Sequence, residues 1–170
     1  MGTSIRRIRA DDWELLRALR LASLLDAPGA FGQTHANAAA IPDDEWQQTA
    51  RASATGESRT WLIAFDDSGQ AAGLVQARRR PAHDCLIFSM WVAPGARRLG
   101  VGRSLLDAAG EWGRGWGAQR LVLWVTASNE AAHRFYDNIG FSVIHDGPDA
   151  EAGATFGAFA MERSIAQAVR

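Results

Sequence analysis

The chain has 170 residues, 47% hydrophobic and 22% charged, with 18 basic side chains against 19 acidic ones and a formal net charge of -1. That length favours one domain with one sizeable core, and the composition excludes a disordered chain. The balanced charge gives no electrostatic footprint for nucleic acid or an anionic membrane, and the single cysteine, Cys85, excludes an internal disulfide and a cysteine-rich zinc site. No apolar run approaches the ~20 residues of a membrane span. The opening MGTSIRRIRADDW lacks the apolar core of a signal peptide, so the expected compartment is the cytoplasm.

Ser4 to Arg9 reads as a short first strand. Asp11 and Glu14 resemble a capping box, and Leu15, Leu16, Leu19, Leu24 and Leu25 keep helical spacing as far as the stop at Pro28 and Gly29. The stretch PGAFGQTHANAAAIP reads as a loop of small residues. Pro42, Asp43 and Asp44 then open a short helix through Trp46 to about Ala52. Trp61 to Phe65 and Ala72 to Ala77 form a hairpin about DDSGQ. Cys85 to Val92 is apolar nearly throughout, as expected of a strand covered on both faces, and Cys85 reads as a buried thiol within it.

After Pro94 and two close glycines comes a helix carrying Leu105, Ala109, Trp112 and Trp116, followed by the apolar strand Leu121 to Val125. Ser128 reads as the N-cap of a helix that buries Ala132, Phe135, Tyr136 and Ile139 and ends at Gly140. Phe141 to Ile144 and Thr155 to Met161 read as closing strands about the turn DGPDAEAG. No repeat or linker interrupts this order. Helices between central strands imply one α/β domain, a mixed sheet with helices on both faces.

Gly100 and Gly102 stand where a helix begins, although glycine costs roughly 1 kcal/mol relative to alanine inside one. A buried strand, a short loop, close glycines and a helix suit a phosphate. The amides of a helix first turn lack internal partners, the dipole favours an anion, and a missing Cβ lets a bulky pyrophosphate approach. Arg97, Arg98 and Arg103 add positive charge. The P-loop signature fails because Val101 stands where lysine is required, and the dinucleotide fingerprint fails at Leu105. Asn129 and Tyr136, the only tyrosine, lie seven residues apart and share a helix face. Each also has an ordinary reading, as a helix-terminal residue and a core aromatic.

RRLGVG at 97–102 fits the pattern [QR]-x-x-G-x-[GA] of the GNAT superfamily, the acetyl-CoA-dependent N-acetyltransferases. Upstream, SMWVAP resembles that family's fourth strand. Downstream, NEAAHRFYDNIGF resembles its N-x-x-A-x-x-F-Y-x-x-x-G-F helix and following strand. The match is dense over residues 86–141, and element order extends it from Ser4 to Met161. The resemblance implies a single domain over residues 1–170, with mostly antiparallel strands and a splayed central pair. A CoA-binding core would span about 84–141 and an acceptor side about 11–53.

On this resemblance the backbone of Met90, Trp91 and Val92 pairs with pantetheine. The segment Arg97, Arg98, Leu99, Gly100, Val101, Gly102, Arg103 and Ser104 takes the pyrophosphate. Asn129 bonds the pantetheine, Ala132 keeps the helix surface low beside it, and Tyr136 assists the leaving thiolate. Acetyl-CoA is the co-substrate, an amine the acceptor, and no metal is needed. An amine of pKa ~10 is about one part in a thousand neutral at pH 7, so a base or water chain must take its proton. Several relatives use a strand glutamate, but 86–92 contains no carboxylate. Asp84, His83, His35, Glu45 and a water held by Ser89 are the candidates. Asp43, Asp44 and Glu45 favour either a cationic acceptor or simple helix capping. A homodimer through the apolar edge TFGAFAMER is expected. A non-catalytic acyl-CoA sensor or interaction domain of the same fold is the alternative function.

Overall fold

The computed structural model describes residues 2–166. In chain order the elements are β1 (Ser4–Arg7), α1 (Trp13–Asp26), α2 (His35–Ala39), α3 (Asp43–Thr55), β2 (Arg59–Phe65), β3 (Ala71–Arg80) and β4 (Asp84–Val92). There follow α4 (Val101–Arg114), β5 (Arg120–Thr126), α5 (Glu130–Asn138), β6 (Ser142–Val143), α6 (Pro148–Thr155) and β7 (Ala158–Ser164). The seven strands are ordered β1-β2-β3-β4-β5-β7-β6. The β4–β5 pairing is parallel, and the β1–β2, β2–β3, β5–β7 and β6–β7 pairings are antiparallel. The α/β class with a mixed sheet is therefore as the sequence implies. Two compact units divide the chain, one of residues 2–78 and 88–109, the other of 79–87 and 110–166.

In the first unit, the apolar stripe of α1 and the alternation of β2 and β3 converge on one core. It contains Ile8, Leu16, Leu19, Trp46, Ala50, Trp61, Ile63, Leu74 and Trp91, with Trp13 and Phe31 packed against it. Each large side chain fully buried there contributes roughly 1.5–3 kcal/mol. Gly73 is required by contact: a Cβ there would sit 2.7 Å from the Trp91 carbonyl oxygen. This close approach lets Ala93 donate to the Ala72 carbonyl at 2.9 Å, fixing where β4 leaves the sheet.

In the second unit β5 pairs with β7 from Arg120–Ser164 to Thr126–Ala158, and the start of β4 pairs with β5 from Asp84–Arg120 to Leu86–Val122. Gly113 on α4 meets Cys85 so closely that its missing Cβ would lie 3.2 Å from the cysteine Cβ. Two segments read as loop or turn are helical. Thr34 caps α2 by accepting from the Asn37 amide at 3.1 Å, and α6 starts on Pro148 with Asp149 and Glu151 in its first turn. The apolar edge expected for dimerisation is not free over its length. β7 is flanked throughout by β5, and its far side pairs with β6 at Met161 and Glu162.

Candidate active site

In the first unit, β4 carries a break that no glycine announces. Ser89 adopts φ 52° inside a strand, a left-handed conformation costing roughly 1–2 kcal/mol for an L-residue. A left-handed residue inside a strand re-aims the groups on either side of it out of the pleat. Phe88, Ser89 and Met90 are only half-buried, so the expectation of a strand covered on both faces fails at this point. Trp91 is buried, and its indole N–H donates to Asp26 Oδ2 at the end of α1, 2.8 Å away.

Past β4, a 3-10 turn at Pro94–Ala96 leads into Arg98 at φ 62° and Gly100 at φ 82°. The Ser104 amide bonds the Gly100 carbonyl at 3.0 Å, so the amides of Val101 and Gly102 precede the helical ladder of α4. That is the arrangement of donors and dipole that suits an anion. Arg98 and Arg103 are exposed beside it. The Arg97 side chain turns elsewhere: Nε donates to the Val92 carbonyl at 3.1 Å, and Nη2 pairs with Asp26. Arg97 thus ties the exit of β4 to α1.

In the second unit, Asn129 is itself the N-cap of α5, its Oδ1 accepting from the Ala132 amide at 3.1 Å. Ser128, the residue expected to cap, lies one position outside. Ala132 and Tyr136 follow Asn129 on the same helical stripe, three and seven residues on. Tyr136 is buried, with its ring centroid 5.1 Å from that of Phe135 and 5.4 Å from that of Phe141, both edge-on. Burial pushes its phenol above the ordinary value of 10. Cys85 is buried and its thiol is pushed up to about 12, which removes it as a nucleophile at neutral pH.

The base candidates separate on geometry. Asp84, 2% exposed, accepts from Arg120 Nε at 2.7 Å and from Arg80 Nε at 3.0 Å. Arg80 also grips Asp149 at 2.7 Å, and Arg120 pairs with Glu162. Burial alone would raise the Asp84 carboxyl, but the bonds from Arg120 and Arg80 outweigh it and hold the carboxyl below its usual range. A carboxylate so held is a poor proton acceptor and a strong structural pin. His83 is exposed at φ 62° with Nδ1 3.2 Å from the Gly117 carbonyl oxygen. His35 opens α2, and Asp43, Asp44 and Glu45 fill the first turn of α3.

Asp84→Asn is therefore expected to destabilise by about 3 kcal/mol at pH 7, the scale of breaking a buried ion pair. The native carboxyl is depressed, so its contribution is fully present above the unfolded value of ~3.9 and is lost as pH falls through the folded one. Urea melts of both proteins should differ constantly above about pH 5, begin to converge near pH ~4 and meet only below the depressed folded value. A pH-independent difference contradicts the ionic account.

Comparison with known proteins agrees with this fold. The solved PaiA N-acetyltransferase of Thermoplasma acidophilum, in complex with coenzyme A, superposes with a TM-score of 0.72 over 96% of this chain and 99% of its own, at 19% identity. The fold is thus that of the N-acetyltransferases. The profile of the acetyltransferase (GNAT) family matches residues 18–141, and the chain belongs to that family. A mycothiol acetyltransferase of Propionibacterium freudenreichii is 27% identical over 148 residues, covering 84% of this chain and 44% of that protein. An aminoglycoside N(6')-acetyltransferase type 1 of Klebsiella aerogenes is 32% identical over 90 residues, covering 49% of this chain and 59% of that protein. The chain thus spans less than half the length of the mycothiol enzyme. Among the described residues, no helix is long and apolar enough to cross a membrane, and no three potential metal-ligating side chains cluster.

Proposed function

We propose that the protein transfers an acetyl group from acetyl-CoA to a primary amine by direct attack of the amine on the thioester. The observation that carries this reading is the phosphate-ready turn of Arg98, Gly100 and the start of α4, in a chain of the GNAT family. The amides from Arg98 to Ser104 take the pyrophosphate, with Arg98 and Arg103 neutralising it. Arg97 acts on the loop rather than on the phosphate, since its guanidinium is held by Asp26. The backbone of Met90, Trp91 and Val92 pairs with pantetheine, and the strained Ser89 turns an adjacent amide toward the thioester carbonyl. Asn129 offers its amide nitrogen to the pantetheine, its oxygen being spent on the cap. The Tyr136 hydroxyl donates to the departing thiolate. The amine's proton leaves through water at Ser89, since Asp84 is pinned between two arginines.

Thiol release from acetyl-CoA, measured with pooled primary amines, tests the reading. The expected result is release that depends on an added amine. Tight CoA binding without such release identifies a non-catalytic acyl-CoA sensor instead, and no CoA binding at all defeats both.

A further inference from the structure

On the acceptor side of the first unit, α1 buries a cation that no acid among the described residues neutralises. Arg20 is 6% exposed, yet its hydrogen-bond partners are neutral: Gln33 Oε1 and Ser23 Oγ. Its guanidinium carbon lies 4.6 Å from the centroid of the Phe31 ring. Burial draws its pKa down to about 10, with no carboxylate opposing that shift. A buried charge is ordinarily paired, because desolvation costs more than neutral partners return.

The geometry of the neutral partner is informative. Gln33 Oε1 accepts from both Nε, at 3.3 Å, and Nη2, at 3.2 Å. These two donors form the edge of the guanidinium that a carboxylate or phosphate engages with two oxygens at about 2.7–2.9 Å. One amide oxygen therefore spans a fork shaped for two anionic ones, at distances longer than a charged acceptor takes. Gln33 is half-buried and belongs to the segment between the Pro28–Ala30 turn and α2, so its displacement opens the fork from the solvent side. Three residues earlier on the same face of α1, Arg17 Nε is buried without a hydrogen-bond partner and meets Asp43 only at 3.9 Å. The surplus on this face is of donors.

We propose that Arg20 is a receptor for an oxyanion, a carboxylate or phosphate ester carried by the acceptor, which replaces Gln33 on the Nε–Nη2 edge. The identity of this ligand as the acceptor rests on the acetyl-transfer reading; the oxyanion site itself does not. The amino group to be acetylated would then belong to a molecule that is also anionic. The first-turn acids of α3 act in this account as helix-terminal charges and not as the specificity element.

Two measurements on wild type, Arg20→Met and Gln33→Glu test this. Thiol release is measured with matched amines: L-phenylalanine against phenethylamine, L-alanine against ethylamine, and phosphoethanolamine against ethanolamine. The expected result is at least about tenfold higher kcat/KM for the anionic member of one pair class, which tells carboxylate from phosphate. That preference should vanish in Arg20→Met and in Gln33→Glu, where an internal carboxylate fills the fork. Melting of the CoA-saturated proteins in acetate or phosphate, against chloride at equal ionic strength, needs no turnover. The oxyanion should raise the midpoint of wild type and leave both variants unmoved. Anion-specific stabilisation without any thiol release supports the site and sinks acetyl transfer. Thiol release that shows no preference within any pair, or equal anion responses in wild type and Gln33→Glu, overturns the proposal.

Discussion

Gly100→Asp is expected to abolish CoA binding while leaving a folded protein. Gly100 sits at φ 82°, and a Cβ there would meet nothing within 4 Å, so the fold has room for a side chain. Aspartate is among the residues that tolerate the left-handed region best, and its strain is on the order of 1 kcal/mol. At the first turn of α4 a carboxylate is welcome to the helix: it can take the amides of the turn and complement the dipole. That is why it should destroy the site, since it supplies the anion the turn would otherwise recruit. It also adds a charge that repels pyrophosphate. Calorimetric titration with CoA should show a loss of at least about a hundredfold, against a few-fold for Gly100→Ala, which carries the strain without the charge. Equal losses in the two variants would make backbone strain the whole effect. Unchanged affinity in Gly100→Asp would remove the phosphate assignment.

The parts of this molecule that were legible in its sequence are those where one residue type answers one physical demand. The close glycines Gly100 and Gly102 mark a special turn before α4, and Gly100 there adopts a φ of 82° that glycine best allows. Cys85, among apolar neighbours, is buried and its thiol raised. The α5 face with Tyr136 follows from helical spacing, and Tyr136 is in the core. What escaped is what depends on which partner a side chain finds, near or far along the chain. The capping box expected at Asp11 and Glu14 is not the start of α1: Asp12 holds the N-cap position, and Arg6 and the Arg9 amide take its carboxylate. Asn129 outcompetes Ser128 as a cap because its Oδ1 reaches the Ala132 amide. The segment holding α6 reads as a turn on composition, but Arg80 anchors Asp149, and the Trp124 indole donates to the Asp149 carbonyl at 3.0 Å. The left-handed conformation of Ser89 has no local signal, since serine does not favour φ 52°. Arg97 has the right charge for a phosphate, and only the fold discloses that Asp26 claims it.

Tyr136→Phe is expected to lower the single-turnover rate of acetyl transfer while sparing fold and CoA affinity. The phenol ring makes edge-on contacts with Phe135 and Phe141, and phenylalanine keeps both. Only the hydroxyl goes. In its ordinary state a phenol of pKa ~10 is a weaker acid than a thiol of ~8.5, so complete proton transfer to the thiolate is uphill by about 2 kcal/mol. Burial raises the Tyr136 phenol further, which makes full transfer still less favourable. The same shift keeps the hydroxyl protonated past pH 10, so a donor to the sulfur would remain available across the whole working range. On the proposed mechanism Tyr136 would therefore stabilise developing charge without surrendering its proton. The loss on its removal should be about 10²-fold or less, and it should be nearly constant between pH 7 and 9. A basic limb in wild type that disappears in the variant would mean that the phenol ionises and acts as a true acid. A variant that transfers acetyl at the wild-type single-turnover rate would make Tyr136 a core aromatic alone, with the thiolate protonated directly by water.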